Sequence, residues 1–355
     1  MILDELLKRP GSWLARGRSR DEGIIISSRV RLARNVKGAA FPGWAGKEEC
    51  VRLCSRLRGV IQSLPGLTDS VFLDMGATNP VDKDLLLERH LISNELADKG
   101  PGSGVVVTTD ESVAVMINEE DHLRIQAIAP GMKLQAVWRT VDAIDTAIEK
   151  HVDYAFLPEL GYLTACPSNV GTGLRASVMM HLSGLRLLNE IDPVIKGLER
   201  LGMTARGLYG EGTEAHGNMF QISNQSTLGE SEGDIMRRFA LIVDDVVRHE
   251  TNARGRLMES GRAILLDHVG RSIGVATHAR VLRSGEAMDL LSGLRHGVEL
   301  GLIRHLNVAR INEIMLLTQP AHLQKIVGKL LESEDRDAMR SDMIRQRLKG
   351  VSMVE

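Results

Sequence analysis

Three strand-like segments follow one another closely between residues 104 and 130, and their spacing constrains the fold more than any other feature of the sequence. The segments GVVVTTD, SVAVMIN and LRIQAIAP are rich in β-branched and apolar residues, as strands are. Only a few residues separate each segment from the next, whereas a crossover between parallel strands needs a dozen or more. The spacing therefore predicts antiparallel hairpins.

Patterns elsewhere extend this sheet and then change near residue 230. After that point the sequence shows helical patterns separated by turns and no strand pattern. We therefore predict an α+β fold with an antiparallel-rich sheet flanked by helices in residues 1–252, and an all-helical domain in residues 253–355. Further strands are predicted in 23–35, 70–76, 161–165, 203–209 and 218–223, and helices in 132–152, 173–188 and 192–201.

The composition excludes several classes of protein. The 355 residues are 43% hydrophobic, and no apolar run approaches the roughly 20 residues that span a bilayer. The N-terminus lacks the pattern of a secretory signal. A net charge of −2 gives no general attraction to nucleic acid or to a membrane surface. The cysteines Cys50, Cys54 and Cys166 show no disulfide spacing, so we expect a cytoplasmic protein.

The glycine turn in CPSNVGTGLRASVMMHL, residues 166–182, suggests a site for an anion. If a helix begins after the glycines, its first turn offers unpaired N–H groups and partial positive charge. Gly171, Gly173 and Ala176 also match the dinucleotide pattern G-x-G-x-x-A, but the antiparallel strands and the cation of Arg175 argue against that class. The sequence contains neither a P-loop nor the H-R-D and D-F-G motifs of protein kinases.

Arginine supplies 33 of the 44 basic residues, and its planar donor group suits phosphate. Arg29 and Arg31 lie two apart on a predicted strand, so both side chains leave the same face. Arg124 follows the acidic cluster NEEDH, Arg175 follows the glycine turn, and Arg206 opens the glycine-rich RGLYGEGTE. Each alone is typical of a solvated surface residue. If folding brings them together, they form a clamp for a nucleoside triphosphate.

Four segments in this order resemble those of the phosphagen kinases, the creatine and arginine kinase family. They are SSRVRLARN, NEEDHLR, CPSNVGTGLRAS and the stretch from RGLYGE to ISN, within residues 23–250. We find no counterpart of the small helical domain that precedes the catalytic domain in metabolic members, and a helical domain follows instead. This arrangement is similar to that of the bacterial protein arginine kinases, which phosphorylate arginine side chains of proteins.

The resemblance implies a glutamine-synthetase-like catalytic domain that uses ATP with Mg²⁺. Met179 stands where metabolic members have a histidine, and Gln221 where creatine kinases have an aspartate; both differences concern nucleotide contacts rather than the chemistry. Without the resemblance, a histidine between apolar residues, such as His90, is typical of a core or capping residue. The implied ATP-binding residues are Ser27, Ser28, Arg29, Val30, Arg31, His90, Arg124, Arg175, Ala176, Ser177, Val178, Met179, Arg206, Gly207, Leu208, Tyr209, Gly210 and Glu211.

The same resemblance assigns catalytic roles to Glu120, Glu211 and Cys166, together with three arginines. A guanidinium is a poor nucleophile because it is protonated at pH 7. We expect the two glutamates to bind it from two sides and to accept its proton during attack, and the Cys166 sulfur to hold its charge. The three catalytic arginines are Arg124, Arg175 and Arg206.

Other roles for these residues stay open at the level of sequence. Without the other motifs, NEEDH would be a polar turn and Cys166 a small buried residue; a nucleophilic cysteine would need a histidine partner, and none lies nearby in sequence. We expect Cys50 and Cys54 to be packing residues, since the further ligands that a metal site needs are not found.

Near the C-terminus, RDAMRS resembles the motif R-D-x-x-R-A, which in the bacterial subgroup forms a pocket for phosphoarginine. Arg336 and Arg340 would bind the phosphate and Asp337 the guanidinium, with Ser341 in place of the alanine. A solvated helix face is the alternative.

The resemblance also implies partners. They are protein substrates with accessible arginines, a second copy of the chain in a homodimer or larger homo-oligomer, and, in a stress response, a zinc-binding adaptor, a heat-shock repressor and a Clp-type protease. Two other functions stay open: a kinase of free arginine or another small guanidino compound, and a regulator that binds nucleotide or phosphoarginine without turnover.

Overall fold

An antiparallel sheet forms the centre of the chain up to residue 224. The computed structural model describes residues 7, 11–14, 23–207 and 215–354, and within these residues the sheet has eight strands. Every neighbouring pair is antiparallel. The strands are β1 (Ile25–Arg34), β2 (Val71–Asp74), β3 (Gly104–Val107), β4 (Val113–Ile117), β5 (Leu123–Pro130), β8 (Leu174–His181), β9 (Met203–Gly207) and β10 (Met219–Asn224), in the spatial order β2-β3-β4-β5-β1-β8-β10-β9. A separate hairpin joins β6 (Phe156–Leu157) and β7 (Gly161–Tyr162).

One face of the sheet is covered by helices and forms the main core. Along β1, Val30 and Leu32 point into this core, while Arg29 and Arg31 alternate to the other face. Apolar residues repeat along the covering helices with helical spacing, so each presents one apolar stripe to the strands. The helices on this side are α1 (Lys47–Ser63), α4 (Leu134–Glu149), α6 (Ile191–Arg200) and the first half of α7 (Glu232–Glu259).

The second face of the sheet is covered only in part. Helices α2 (Pro80–Glu88) and α3 (Asn94–Ala97) pack against β3 and β4 in a small cluster of their own. At the other end, Ile26, Ile128, Met179 and Met219 join the core of the C-terminal helices. A register shift in β1 between Ile25 and Ser27 accompanies the placement of Ile26 on this side. The sheet surface between these two clusters is left open to a cavity.

The C-terminal region is helical. It is linked to the sheet by α7 and also by the short helix α5 (Ser183–Leu187), which contacts both α7 and α9. Two short strands, β11 (Ile303–Arg304) and β12 (Ser352–Met353), pair beside the helices, although the sequence showed no strand pattern there. The helices are α8 (Arg262–His278), α9 (Ser284–Glu299), α10 (Val308–Leu317), α11 (Pro320–Val327) and α12 (Ser333–Arg347).

The predicted fold class is confirmed, with one error in an important place. Residues 174–181 form strand β8, not the first half of a helix over 173–188. Leu, Ala and Met favour helix as isolated residues, but β8 lies between β1 and β10, and pairing on both sides overrides that preference. The boundary predicted at residue 252 falls inside the continuous helix α7 and stays a prediction. No helix within the described residues is long and apolar enough to cross a bilayer.

Candidate active site

A cavity of about 640 Å³ lies on the open part of the second sheet face, beside α2 and α3. All five predicted arginines line it, as do Glu120 and Cys166. Further lining residues, which the sequence did not single out, include Glu88, Ser93, Asn94, Glu95, Gln126, Ser168, Asn169 and Ser223.

Strand register explains why arginines that are distant in the sequence meet. Arg31 on β1 lies directly opposite Arg175 on β8, and Arg206 on β9 lies opposite Gln221 on β10. Arg124 on β5 is level with the end of β1, opposite Ala33. Residues two apart on each strand share a face, so one side of four strands presents guanidinium groups.

These cations repel one another. Arg31 and Arg175 are directly opposite, a position in which like charges destabilise a sheet. Burial, together with Arg124 and Arg175, lowers the pKa of Arg29 to about 10. Burial and the same neighbouring arginines also lower the pKa of Arg31 well below its ordinary value. The pKa of Arg175 is also lowered, by burial and then by Arg206 and Arg124. A polyanion placed among these groups would relieve the repulsion.

The partners of the arginines in the described parts of the chain are mostly neutral. Arg29 donates to Gln221 Oε1 at 2.9 Å, and Arg175 Nη2 donates to Ser223 Oγ at 3.1 Å. Arg31 Nε is buried without a hydrogen-bond partner. Among the carboxylates that the structure describes, only that of Glu119 pairs with one of these arginines, Arg124. The arginine end of the cavity therefore fits phosphate oxygens, which would satisfy donors that the described protein groups do not.

His90 faces this cation cluster from the end of α2. Its backbone has φ 60°, and its ring stands edge-on to the Trp13 ring, with centroids 4.4 Å apart. Burial and Arg29 lower its pKa to about 3, so the ring is neutral at pH 7. His90 Nε2 is buried and has no hydrogen-bond partner among the described residues. The ring thus offers an unused polar atom to a ligand in the cavity.

The turn between β4 and β5, residues 118–122, carries the acidic groups and is called the acidic hairpin below. Asn118 has φ 54°, and Asp121 Oδ1 accepts hydrogen bonds of 2.6 Å from Asn35 Nδ2 and Ala165 N. Glu119 is fixed by Ser93 and Arg124. Glu120 is left to line the cavity, where burial and then Asp121 and Glu119 raise its pKa. A carboxylate with a raised pKa is a stronger proton acceptor.

The glycine turn has a different role from the predicted anion site. Gly171 has φ +110°, and a Cβ atom there would lie 2.2 Å from Thr227 O. The N–H groups of Gly171 and Thr172 donate to Tyr162 O and Thr227 O, so they are not free for an anion. Because β8 follows, no helix N-terminus exists at this point. The glycines allow close backbone packing, and Arg175 reaches the cavity from a strand.

Cys166 precedes a single 3₁₀ turn, Pro167–Asn169, and its sulfur lies 3.0 Å from Ser168 Oγ. Its contact with a substrate cation stays a prediction. Cys54 is buried in the main core, while Cys50 is half-buried on the same helix α1, and both thiols are free.

Several predicted nucleotide contacts do not line the cavity. Their side chains are buried in the sheet or in a core: Ser27, Ser28, Val30, Ala176, Ser177, Val178 and Met179. Gly207 does line it. The predicted contacts Leu208, Tyr209, Gly210 and Glu211 lie outside the described residues. The described residues contain no group of three or more His, Cys, Asp or Glu side chains placed to hold a metal ion.

The RDAMRS segment lies on helix α12, away from this cavity's lining. Arg340 is 1% exposed, and it donates to Thr318 O and Leu282 O at 2.8 Å each and to Asp337. Arg336 is half-buried and donates to Leu331 O at 3.2 Å. A phosphoarginine bound here would have to replace some of the hydrogen bonds that Arg340 already makes.

Sequence signals existed for some of the cavity residues that were missed. Gln126 stands two residues after Arg124 on the same strand, and Ser223 stands two residues after Gln221, so alternation alone places them on the cavity face. Ser93 is the N-cap of α3 and accepts a hydrogen bond from Leu96 N, and serine is a preferred residue at that position. Glu88 and Glu95 carry no comparable signal, because the packing of α2 and α3 decides where they point.

Comparisons with known proteins place this chain in a family. Residues 53–253 match the model for the ATP:guanido phosphotransferase C-terminal catalytic domain, and residues 262–355 match that for the protein-arginine kinase McsB C-terminal domain. A protein-arginine kinase of Moorella thermoacetica is 44% identical over 97% of this chain and 99% of its own length. The chain belongs to the protein-arginine kinase family. A Bacillus subtilis member is 42% identical over 95% of this chain and 93% of its own.

Solved structures agree with this family at the level of the catalytic domain. A lombricine kinase superposes with a TM-score of 0.58 and 25% identity, over 70% of each chain. The duplicated taurocyamine kinase of Schistosoma mansoni, free of substrate, superposes with a TM-score of 0.57 and 28% identity, over 69% of this chain and 35% of that kinase. Kinases of the ATP:guanido phosphotransferase family use ATP with Mg²⁺.

Proposed function

We propose that this chain transfers the γ-phosphoryl group of ATP to a guanidinium nitrogen of arginine side chains in proteins. The observation that carries the proposal is the convergence of five arginines and Glu120 on one cavity. Relatives named protein-arginine kinase match over nearly the whole chain and support the acceptor class.

The cavity residues divide the work by charge. The transferring phosphoryl group spreads negative charge over its oxygens, and Arg29, Arg31, Arg124, Arg175 and Arg206 would stabilise it. When bound together with ATP, Mg²⁺ would supply further neutralisation of the triphosphate. The neutral ring of His90 would contact the nucleotide through Nε2, which no described protein group satisfies.

At the acidic hairpin, Glu120 would orient the acceptor guanidinium and take its proton as the N–P bond forms. The raised pKa of Glu120 suits that step. A carboxylate is too weak a base to deprotonate arginine beforehand, so proton loss accompanies or follows attack. Glu211 and Cys166 are proposed to hold the guanidinium from its other sides, in the roles that the resemblance implies.

The decisive experiment supplies ATP, Mg²⁺ and either an unstructured arginine-containing protein or free arginine. We expect acid-labile phosphate on the protein. Label on free arginine alone would favour a small-molecule guanidino kinase, as the names of the lombricine and taurocyamine kinases suggest for those relatives. Nucleotide binding with no transfer to either acceptor would favour a regulator without turnover.

We also propose regulation by phosphoarginine at Arg336, Asp337 and Arg340. Binding would have to compete for the donors of Arg340, which now bond to two carbonyl groups and Asp337. Added phosphoarginine should change the rate of the wild-type enzyme and have no effect on Arg336→Ala. An equal response of both proteins would remove the proposed pocket.

The cellular setting is proposed from the family resemblance alone. We expect a cytoplasmic enzyme, a homodimer or larger homo-oligomer, that acts in stress response and protein quality control. Its partners would be a zinc-binding adaptor, a heat-shock repressor and a Clp-type protease. Co-purification of the intact chain from stressed cells, followed by mass spectrometry, tests these partners. The proposed division at residues 252 and 253 can be tested by limited proteolysis.

A further inference from the structure

A second cavity opens beside the acidic hairpin and shares two carboxylates with the active-site cavity. Its volume is about 310 Å³, and Glu95 and Glu120 line both cavities. We call this second cavity the Trp44 cleft. Its other lining residues are Phe41, Gly43, Trp44, Lys99, Thr164 and Ala165. A guanidinium beside Glu120 therefore lies where the two cavities meet.

Trp44 is exposed to an unusual degree on a loop that is held in place. The side chain is 91% exposed, while the N–H groups of Trp44 and Ala45 donate to Phe41 O at 2.8 and 2.9 Å. His122 of the acidic hairpin bonds Val36 N and Ala40 O on either side of its ring. The loop that carries the indole is thus fixed to the same hairpin that carries Glu120.

The Phe41 ring strengthens this attachment, since it stands edge-on to the His122 ring with centroids 6.0 Å apart. Exposed aromatic side chains on an anchored loop are favourable contact groups, because they bury much apolar area and have few rotatable bonds to order on binding. Tryptophan in particular dominates the energetics of many protein interfaces.

The charges and the shape of the cleft indicate its occupant. Glu95 and Glu120 attract a cation at the junction, whereas Phe41, Trp44 and Ala165 form an apolar wall that leads away from it. Lys99 also lines the cleft and suits main-chain carbonyl groups or an acidic neighbour of the arginine. A free amino acid would fill the acidic junction and leave the indole bare. A polypeptide that presents an arginine to Glu120 must continue past it.

We infer that the Trp44 cleft binds the stretch of polypeptide that flanks the target arginine, with Trp44 and Phe41 packed against the residues next to it. The inference rests on the proposed function and adds a determinant of specificity for protein over small-molecule acceptors. A stable contact between two copies of the chain would need about 800 Å² from each partner, much more than one indole and a cleft of this size offer.

The test compares two acceptors: an unstructured peptide with one central arginine, and a capped single arginine, Nα-acetyl-arginine methylamide. We expect Trp44→Ala to lower the ratio of the two kcat/KM values, peptide over capped arginine, about tenfold, mainly through the KM of the peptide. Trp44→Phe should restore most of the ratio. Leu330→Ala, at another strongly exposed apolar side chain, 75% exposed on the C-terminal region, should leave the ratio unchanged.

Other outcomes overturn the inference. An unchanged ratio in Trp44→Ala would show that the peptide does not use the cleft. If sedimentation showed that Trp44→Ala and the wild type differ in particle mass, the indole would belong to a contact between copies of the chain. If the wild-type enzyme phosphorylates capped arginine but no peptide, the proposed protein acceptor fails instead. In that case a peptide-induced shift of tryptophan emission, present in the wild type and absent in Trp44→Phe, would still support the cleft, and no shift would reject it.

Discussion

At the scale of single residues, the site depends on a contrast between neighbouring glutamates. Glu119 is buried and bonded to Ser93 and Arg124, so it holds the acidic hairpin in place. Glu120 is one residue further on and lines the cavity with a raised pKa. The family resemblance assigned the catalytic role to Glu120, and that role stays a prediction; no sequence signal marked Glu119 as the carboxylate that fixes the hairpin.

Glu120→Gln should lower kcat by about a thousandfold, because the amide cannot accept the guanidinium proton. ATP affinity should change by less than about twofold, since Glu120 lies at the acidic end of the cavity. Single-turnover kinetics and calorimetric titration with a nucleotide analogue measure the two quantities. Glu48→Gln, at a side chain that is 95% exposed on α1, is the control and should match the wild type. Full activity of Glu120→Gln would exclude a proton-accepting role.

At the scale of elements, alternation made β1 and β5 predictable from the sequence, and with β1 the shared face of Arg29 and Arg31. Their convergence with Arg124 was left conditional, because it depends on the strand pairing that the structure provides. The helix expected after the glycine turn was wrong, because the pairing partners of β8 come from distant parts of the chain and leave no local signal. Arg175 nevertheless reaches the predicted cluster. The prediction that Arg175 belongs to the cluster therefore held, although the predicted helix around it is a strand.

The glycine turn should be far less tolerant of change than an ordinary glycine. Gly171→Ala combines a left-handed backbone with a Cβ atom 2.2 Å from Thr227 O, so we expect the free energy of unfolding to fall by about 3 kcal/mol. Gly59→Ala lies inside helix α1 with open space around it and should raise the free energy of unfolding by about 0.5 kcal/mol. Urea unfolding followed by circular dichroism compares the two. Equal effects would mean that the turn is not tightly packed.

At the scale of the whole molecule, a buried ionic cluster joins the sheet to the C-terminal helices. Glu299 on α9 contacts Arg254 on α7 at 2.8 Å and Arg295 at 2.8 Å, and His181 at the end of β8 lies 3.6 Å away. Burial alone would raise the pKa of Glu299, but Arg295, His181 and Arg254 bring it down to about 2. No sequence motif predicted this cluster, because its members are spread over more than 100 residues.

Glu299→Gln should destabilise the protein by about 3 kcal/mol, since it removes the negative charge that offsets buried arginines. The depressed pKa means that the contribution is complete above about pH 4.3 and is lost as the pH falls through about 2. Glu190→Gln changes an exposed ion pair with Arg256 and should have a much smaller effect. Denaturant unfolding at pH 7 compares the variants. Similar losses for both would mean that the buried cluster does not stabilise the junction.

Acid should weaken the fold already above the pKa of an ordinary carboxylate, because buried histidines stay neutral in the folded chain. Burial lowers the pKa of His181 to about 4 and contributes to the value of about 3 for His90, against about 6.5 for an ordinary histidine. Between pH 6.5 and 4 the unfolded chain therefore binds more protons than the folded chain, so the free energy of unfolding falls as the pH is lowered. We expect the urea midpoint to drop between pH 7 and pH 5, and His181→Gln to reduce that drop. The control His278→Gln, at an exposed histidine, should leave that drop unchanged. A midpoint that is constant over this range would contradict the buried, neutral state of these rings.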